Sequence, residues 1–359
     1  MITLENEELK VTIAEKGAEL QSIFHKKDQF DYLWQGAEGY WSKHAPNLFP
    51  IVGRLNDNKH IKDGKIYEMN QHGFARDLEF KVGEVTPDTV ELVLQANEET
   101  LNRYPYEFTL KIHYRLDKNQ LAVTYYVENH SGETMPYSLG GHPAFNLPIN
   151  GEGKFEDYKL HFNAGAGLES LEYFEMEPLP YMSGRKLPLT ALKNGEISID
   201  RELFGAGLVM DMEMKGRIAT LYSSHSSHSI TLSLGDFPYL CLWTEEGVEA
   251  PFLCVEPFHG MADEYGEVGE LTDKKGINLL EAGQRDGHQY VMIFDNEWEV
   301  SICYLDNFIE VYPASERELV KMKDQLLDES RVDFYVGTQH FVKKELKGVG
   351  CDGWGIQFD

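Results

Sequence analysis

Basic residues are scarce in this chain of 359 residues: 33 Lys plus Arg stand against 60 Asp plus Glu, a formal charge of −27. A surface this acidic cannot supply the basic footprint that nucleic acid or anionic lipid demands. Any anionic ligand would need a local arginine or lysine cluster. Long apolar runs are missing too, and nothing approaches the ~20 residues needed to span a bilayer. Met1-Ile2-Thr3-Leu4 runs straight into Glu5 and Glu7, without the basic and apolar regions of a secretion signal. Cysteine is sparse: Cys241, Cys254, Cys303 and Cys351 are scattered, with no Cys-x-x-Cys pair. Free thiols in a reducing, cytoplasmic setting are the expectation. No zinc-protease, serine-hydrolase, phosphate-loop or dinucleotide fingerprint occurs, so those chemistries have no support.

Helical periodicity is also nearly absent before residue 295, apart from short turns near Glu98–Arg103 and Pro188–Lys193. Alternation takes its place. Leu9, Val11 and Ile13 share one strand face, as do Val90, Leu92 and Leu94. Phe108, Leu110, Ile112, Tyr114 and Leu116 alternate with polar residues, and Leu121, Val123, Tyr125 and Val127 follow a turn at Asp117-Lys118-Asn119. Period two marks half-buried antiparallel strands, and 107–116 with 120–128 reads as a hairpin. Further strands are expected at 218–222, 230–234, 239–243 and 252–255. Many strands separated by Gly, Asn, Asp and Pro indicate a large all-β domain over 1–295. The aromatic content, 19 Tyr, 19 Phe and 5 Trp, suits such a core and suits stacking on a ligand.

The tail, 296–359, changes character. A hairpin is expected across 298–312. Ser315-Glu316-Arg317-Glu318 matches a capping box, followed by a helical stripe at Leu319, Met322 and Leu326. Strands return at 332–336 and 340–342. This reads as a small appended α+β unit without a catalytic motif, a candidate surface for a partner or for self-contact.

Four stretches pair a turn-like backbone with reactive side chains. His142 is fenced by Gly140, Gly141 and Pro143, at what reads as the end of a sheet. Arg54 follows Gly53 on a loop and offers a planar fork of donors suited to paired oxygens. His72-Gly73-Phe74-Ala75-Arg76 forms a compact polar turn. Glu256 closes an apolar strand before Pro257, and partial desolvation there would make it a better base near neutral pH. Each has an ordinary alternative, a surface arginine, a loop histidine or a solvent-facing glutamate, and none decides alone. His225 and His228, three apart in a serine-rich segment, make a poor metal motif.

Taken in series, these stretches resemble the aldose 1-epimerase (galactose mutarotase-like) family, and most of all its LacX-type branch. The carrying residues are Gly53-Arg54, His72 to Arg76, Gly140 to Asn146, and Glu256-Pro257 with Gly260-Met261-Ala262-Asp263. Phe237-Pro238-Tyr239-Leu240 and Trp243 also fit. The resemblance spans about residues 1–295. It implies a β-supersandwich with a sugar on the concave face of one sheet, and no metal or organic cofactor. It implies Glu256 as the base on the C1 hydroxyl and His142 as the acid on the ring oxygen. Arg54 and His72 would hold sugar oxygens, with Arg76 and Asn146 also in the binding site. Two alternatives stand beside a free-hexose mutarotase: a hexose-6-phosphate 1-epimerase, for which Arg54 and Arg76 would supply charge, and a non-catalytic carbohydrate-binding protein on the same fold.

Overall fold

The computed structural model describes residues 1–163, 168, 170–212 and 218–295, and after 295 the backbone of six strands. Two antiparallel sheets dominate the first 295 residues. The nine-stranded sheet runs, in spatial order, through the strands at 196–198, 159–163, 218–222, 229–233, 285–295, 120–129, 108–117, 89–95 and 81–85. Beside its central strand, 285–295, lies the expected hairpin, Phe108–Asp117 against Gln120–Asn129. Leu110, Ile112, Tyr114 and Leu116 are buried, while Arg115 is exposed. Period two has turned the apolar set to one face and buried it against the second sheet. Glu98–Leu101 is a single helical turn, closed by a capping box on Asn97 and Thr100.

The second sheet, of eight strands, carries the functional stretches. Its relevant strands are Asn47–Leu48 (β1), Leu139–Gly141 (β2), Ala144–Asn146 (β3), Tyr239–Trp243 (β4) and Phe252–His259 (β5). The strand Arg285–Asp295 (β6) belongs to the nine-stranded sheet and lies between its neighbours 229–233 and 120–129. Buried Asn47 links the two layers. It accepts from the Tyr125 hydroxyl at 2.6 Å and donates to the Tyr114 hydroxyl at 3.0 Å.

Two sequence expectations need correction. The strand expected at 252–255 continues to His259, so Glu256 and Pro257 lie inside it. The stretch around His142 is no sheet end either. Both β2 and β3 pair with β5: Leu139 and Gly140 face His259 and Phe258, and Ala144 to Asn146 face Cys254 to Phe252. Residues His142 and Pro143 are the break between them, opposite Glu256 and Val255, with Gly141 opposite Pro257. A proline inside a strand costs a ladder hydrogen bond, but at this break no neighbouring strand residue pairs with Pro257 on that side. The two prolines therefore mark one interruption, read from its two edges.

Past residue 295, Ser301–Leu305 pairs antiparallel with Phe308–Tyr312, the expected hairpin. Asp333–Val336 pairs with Gln339–Val342. The helix expected after Ser315 lies outside the described residues.

Candidate active site

The interruption sets the chemistry. Where β2 gives way to β3, the chain bends out and delivers His142 over β5. The two glycines serve close approach. A Cβ on Gly140 would meet the Phe258 ring at 2.8 Å and the Pro257 carbonyl at 3.0 Å, and one on Gly141 would collide with the Tyr290 hydroxyl. Neither has a positive φ, so their role is space and not an unusual backbone. His142 Nε2 then stands 3.1 Å from Glu256 Oε2. Both side chains are almost wholly enclosed, with Glu256 only 1% exposed.

Two polar atoms of this pair, His142 Nδ1 and Glu256 Oε1, are buried with no hydrogen-bond partner among the described residues. Buried polar atoms are nearly always satisfied, and an exception calls for an explanation. Burial pushes the Glu256 carboxyl well above its usual range and pulls the His142 imidazole down to about 3. The shared cause is desolvation, which disfavours the charged form of each. The contact therefore holds one proton across a wide pH range, and that proton can rest on either partner.

The Arg54 and His72 loops lock together beside the pair. The Gly53 amide donates to His72 Nδ1 at 3.1 Å, and the His72 amide donates to the Gly53 carbonyl at 2.8 Å. His72 adopts φ 66°, and the Phe49 carbonyl occupies the space a Cβ on Gly73 would need. With Nδ1 accepting, neutral His72 carries its proton on Nε2, which lies 3.2 Å from the Gln71 side-chain amide. Desolvation keeps its pKa well below the ordinary value, with the His142, Arg76 and Arg54 charges acting in the same direction. Its ring meets that of His142 edge-on, with centroids 5.7 Å apart.

Arg76 donates to the Gln71 carbonyl at 2.9 Å, and its Nε lies 4.0 Å from an Asp77 carboxylate oxygen. The Arg54 guanidinium makes no hydrogen bond or ion pair among the described residues. Its backbone is fixed by Asp263, whose amide donates to the Arg54 carbonyl at 2.8 Å. The Asp263 carboxylate in turn accepts from the Asn56 amide and from Lys274, both at 2.8 Å.

Five of the six expected site residues are thus drawn to one place: Glu256, His142, His72, Arg54 and Arg76. Asn146 is engaged elsewhere, both amide protons going to the carbonyls of Asp31 and Leu33 at 2.8 Å. It ties β3 to the chain before it. Sequence reasoning missed Trp41. Its ring stacks on His142, with centroids 4.9 Å apart and planes 29° from parallel, and Trp243 meets His142 edge-on at 5.9 Å. Glu245 holds the Trp41 amide at 2.8 Å, and the Trp41 carbonyl accepts from the Trp34 indole at 2.8 Å. A lone tryptophan in a loop carries no spacing signal that would expose this role. Cys241 and Cys254 are free and buried nearby, as expected for thiols with no pairing pattern. Among the described residues no helix is long and apolar enough to cross a membrane.

The fold and sequence have relatives among known proteins. The chromosomal LacX protein of Lactococcus lactis is 34% identical over 285 residues, which cover 78% of this chain and 94% of that one. A galactose mutarotase-like protein from Lactobacillus casei superposes with a TM-score of 0.77 at 38% identity, covering 82% of this chain and 99% of the other. A galactose mutarotase related enzyme from Lactobacillus acidophilus does so with the same TM-score at 30% identity, covering 84% and 99%. The family model for aldose 1-epimerase matches residues 1–274, and the chain belongs to that family.

Proposed function

We propose that the protein is a mutarotase that interconverts the α and β anomers of a hexose, with Glu256 and His142 as its acid–base pair. The observation that carries this reading is the buried Glu256–His142 contact, which shares one proton and has an unpartnered polar atom on each side. Opening a hexose ring needs a base on the C1 hydroxyl and an acid on the ring oxygen. The ionised form of the pair, carboxylate plus imidazolium, is that combination, and it has the same proton count as the neutral form. A sugar entering between the two groups supplies the hydrogen bonds that favour ionisation. Glu256 then takes the C1 proton while His142 protonates the ring oxygen. The C1–O5 bond breaks, C1 becomes a carbonyl, rotation about C1–C2 exposes its other face, and the two proton transfers reverse.

Arg54 and His72 Nε2 offer donors for oxygens where negative charge develops. Arg76 adds positive charge behind them. The rings of Trp41 and Trp243 present flat apolar faces beside His142, as carbon–hydrogen faces of a sugar require. Trp41 also lies over the ring that becomes a cation, a placement that favours the imidazolium. Asn146, also assigned to the binding site by resemblance, would act there through its position in β3, since its amide is occupied. The acidic chain and its compartment, expected to be the cytoplasm, add nothing further to the choice of sugar.

Polarimetry on freshly dissolved α-D-glucose and α-D-galactose tests the reading. Acceleration beyond the spontaneous rate supports it, and an unchanged rate across a sugar panel removes it in favour of a carbohydrate-binding protein. One observation favours a second reading, a hexose-6-phosphate 1-epimerase. The Arg54 guanidinium has no hydrogen-bond or ion-pair partner among the described residues and lies near Arg76. Preference for glucose 6-phosphate in the same assay would select it.

A further inference from the structure

A second group of ligating side chains lies on the opposite face of β5, between the two sheets. Asp236 sits in the turn that carries the chain from the strand at 229–233 in one sheet to β4 in the other. His259 ends β5, and His288 lies on β6. One side chain thus comes from each sheet and one from the crossing between them. His288 Nδ1 is 2.5 Å from Asp236 Oδ2, and His259 Nε2 is 3.9 Å from the same oxygen. One ligating atom from each residue falls within 4.8 Å of the other two. The imidazole centroids are 4.3 Å apart.

We infer that Asp236, His259 and His288 form a binding site for a first-row divalent transition-metal ion, Zn²⁺ by donor type, which clamps the two sheets together. Two imidazoles and one carboxylate suit zinc and its neighbours, not magnesium or calcium, which take oxygen donors. Zinc bonds of about 2.0–2.1 Å in a tetrahedron place ligand atoms roughly 3.4 Å apart. The Asp236–His288 pair would open by about 1 Å and His259 would close by about half that, both within side-chain adjustment.

Support for the ligands is already present. His288 Nε2 lies 2.7 Å from the Tyr137 hydroxyl, which donates to Asp286 at 2.8 Å. Such an outer carboxylate relay behind a ligating histidine fixes its orientation and tautomer. The Asp236 side chain is half exposed, so water can reach the remaining coordination position. His259 supplies the second observation. Its Nε2 makes no hydrogen bond among the described residues, although it faces a carboxylate. A hydrogen-bonded pair needs only Asp236 and His288, whereas a cation gives His259 a use. The site uses none of the proposed catalytic residues, and the inference is independent of the proposed reaction.

The test is calorimetric titration of tag-free, chelator-treated full-length protein with Zn²⁺, repeated with Co²⁺ by visible absorption and with Mg²⁺ as a control. One zinc per chain is expected, with a rise in Tm on binding. Both His259→Gln and Asp236→Asn should weaken binding by more than about 100-fold, since even outer-shell partners are worth 10–100-fold. His142→Asn should leave it intact. The half-exposed Asp236 makes D236N the variant least prone to misfolding. Absence of binding overturns the inference. So does zinc binding that survives in H259Q and D236N, or that is lost in H142N, which would move the ion to the His142, Cys254 and Glu256 cluster.

Discussion

Two histidine–carboxylate contacts lie close together on this scaffold, and they are built in opposite ways. His142 and Glu256 touch at 3.1 Å, and each then has an idle buried atom. His288 and Asp236 touch at 2.5 Å, and every other polar atom of theirs is in use: Nε2 on Tyr137, Oδ1 on the Gln289 amide at 3.3 Å. Burial dominates the first contact, lifting the carboxyl and depressing the imidazole. At the second, hydrogen bonding and the His288 charge outweigh burial and hold the Asp236 carboxyl below its ordinary value. An under-satisfied buried pair has hydrogen-bonding capacity left for a ligand. A fully bonded pair holds its own geometry, and an ion bound there would exchange the Asp236–His288 contact for coordination bonds. The contrast separates two features that composition alone would treat alike.

The largest expected difference is in turnover. Glu256→Gln and His142→Asn should each lower the mutarotation rate by roughly 10²–10⁴-fold, the usual worth of a general acid or base. D236N should leave that rate within a few-fold of wild type. Equal losses in all three would erase the distinction. Next, Arg54→Ala and His72→Asn should each lower kcat/KM by about 10–100-fold, matching roughly 1.5–3 kcal/mol for a hydrogen bond to a charged group. Both can be read from the polarimetric progress curves.

Smaller and slower in onset is the pH response. A second proton adds to the pair only near the His142 value of about 3, and the shared proton leaves only well above the ordinary glutamate range. The profile of kcat/KM should therefore have its acid limb near 3 and show no inflection as pH rises through the ordinary glutamate value. A limb near the ordinary histidine value of 6.5 would contradict the shared proton.

Stability carries the smallest effect. Glu256 has a raised folded-state pKa, so above the ordinary value of 4.5 the folded state holds more protons than the unfolded one. Its contribution to stability is full below that pH and declines as pH rises toward the folded value. Glu256→Gln cannot ionise and escapes the decline. Melting curves at several pH values should show the variant gaining on wild type as pH rises above about 4.5. A constant gap would mean the carboxyl is not desolvated.

The parts legible in the sequence were those governed by local pattern. Alternation in 107–116 and 120–128 gave the hairpin and its buried face, because side-chain period and burial coincide there. Gly and Pro around His142 signalled a special backbone, and Arg54 and His72 announced themselves through turn chemistry and family resemblance. The break between β2 and β3 was not legible, since it exists only through pairing with β5 more than a hundred residues away. For the same reason Pro257 read as a strand end. Gly141 read as a turn glycine, but the Tyr290 hydroxyl behind it is a long-range neighbour that no local window contains. Trp41 and the Asp236–His259–His288 group likewise depend on how the two sheets stack.

The central claim is that Glu256 and His142 act as one proton-sharing acid–base unit. The most direct measurement is the polarimetric rate of wild type, E256Q, H142N and the double variant on the preferred anomer. Members of one unit are non-additive. The account predicts that the double variant is no slower than the worse single variant. A double variant slowed by the product of the two single losses would mean two independent groups and would contradict it.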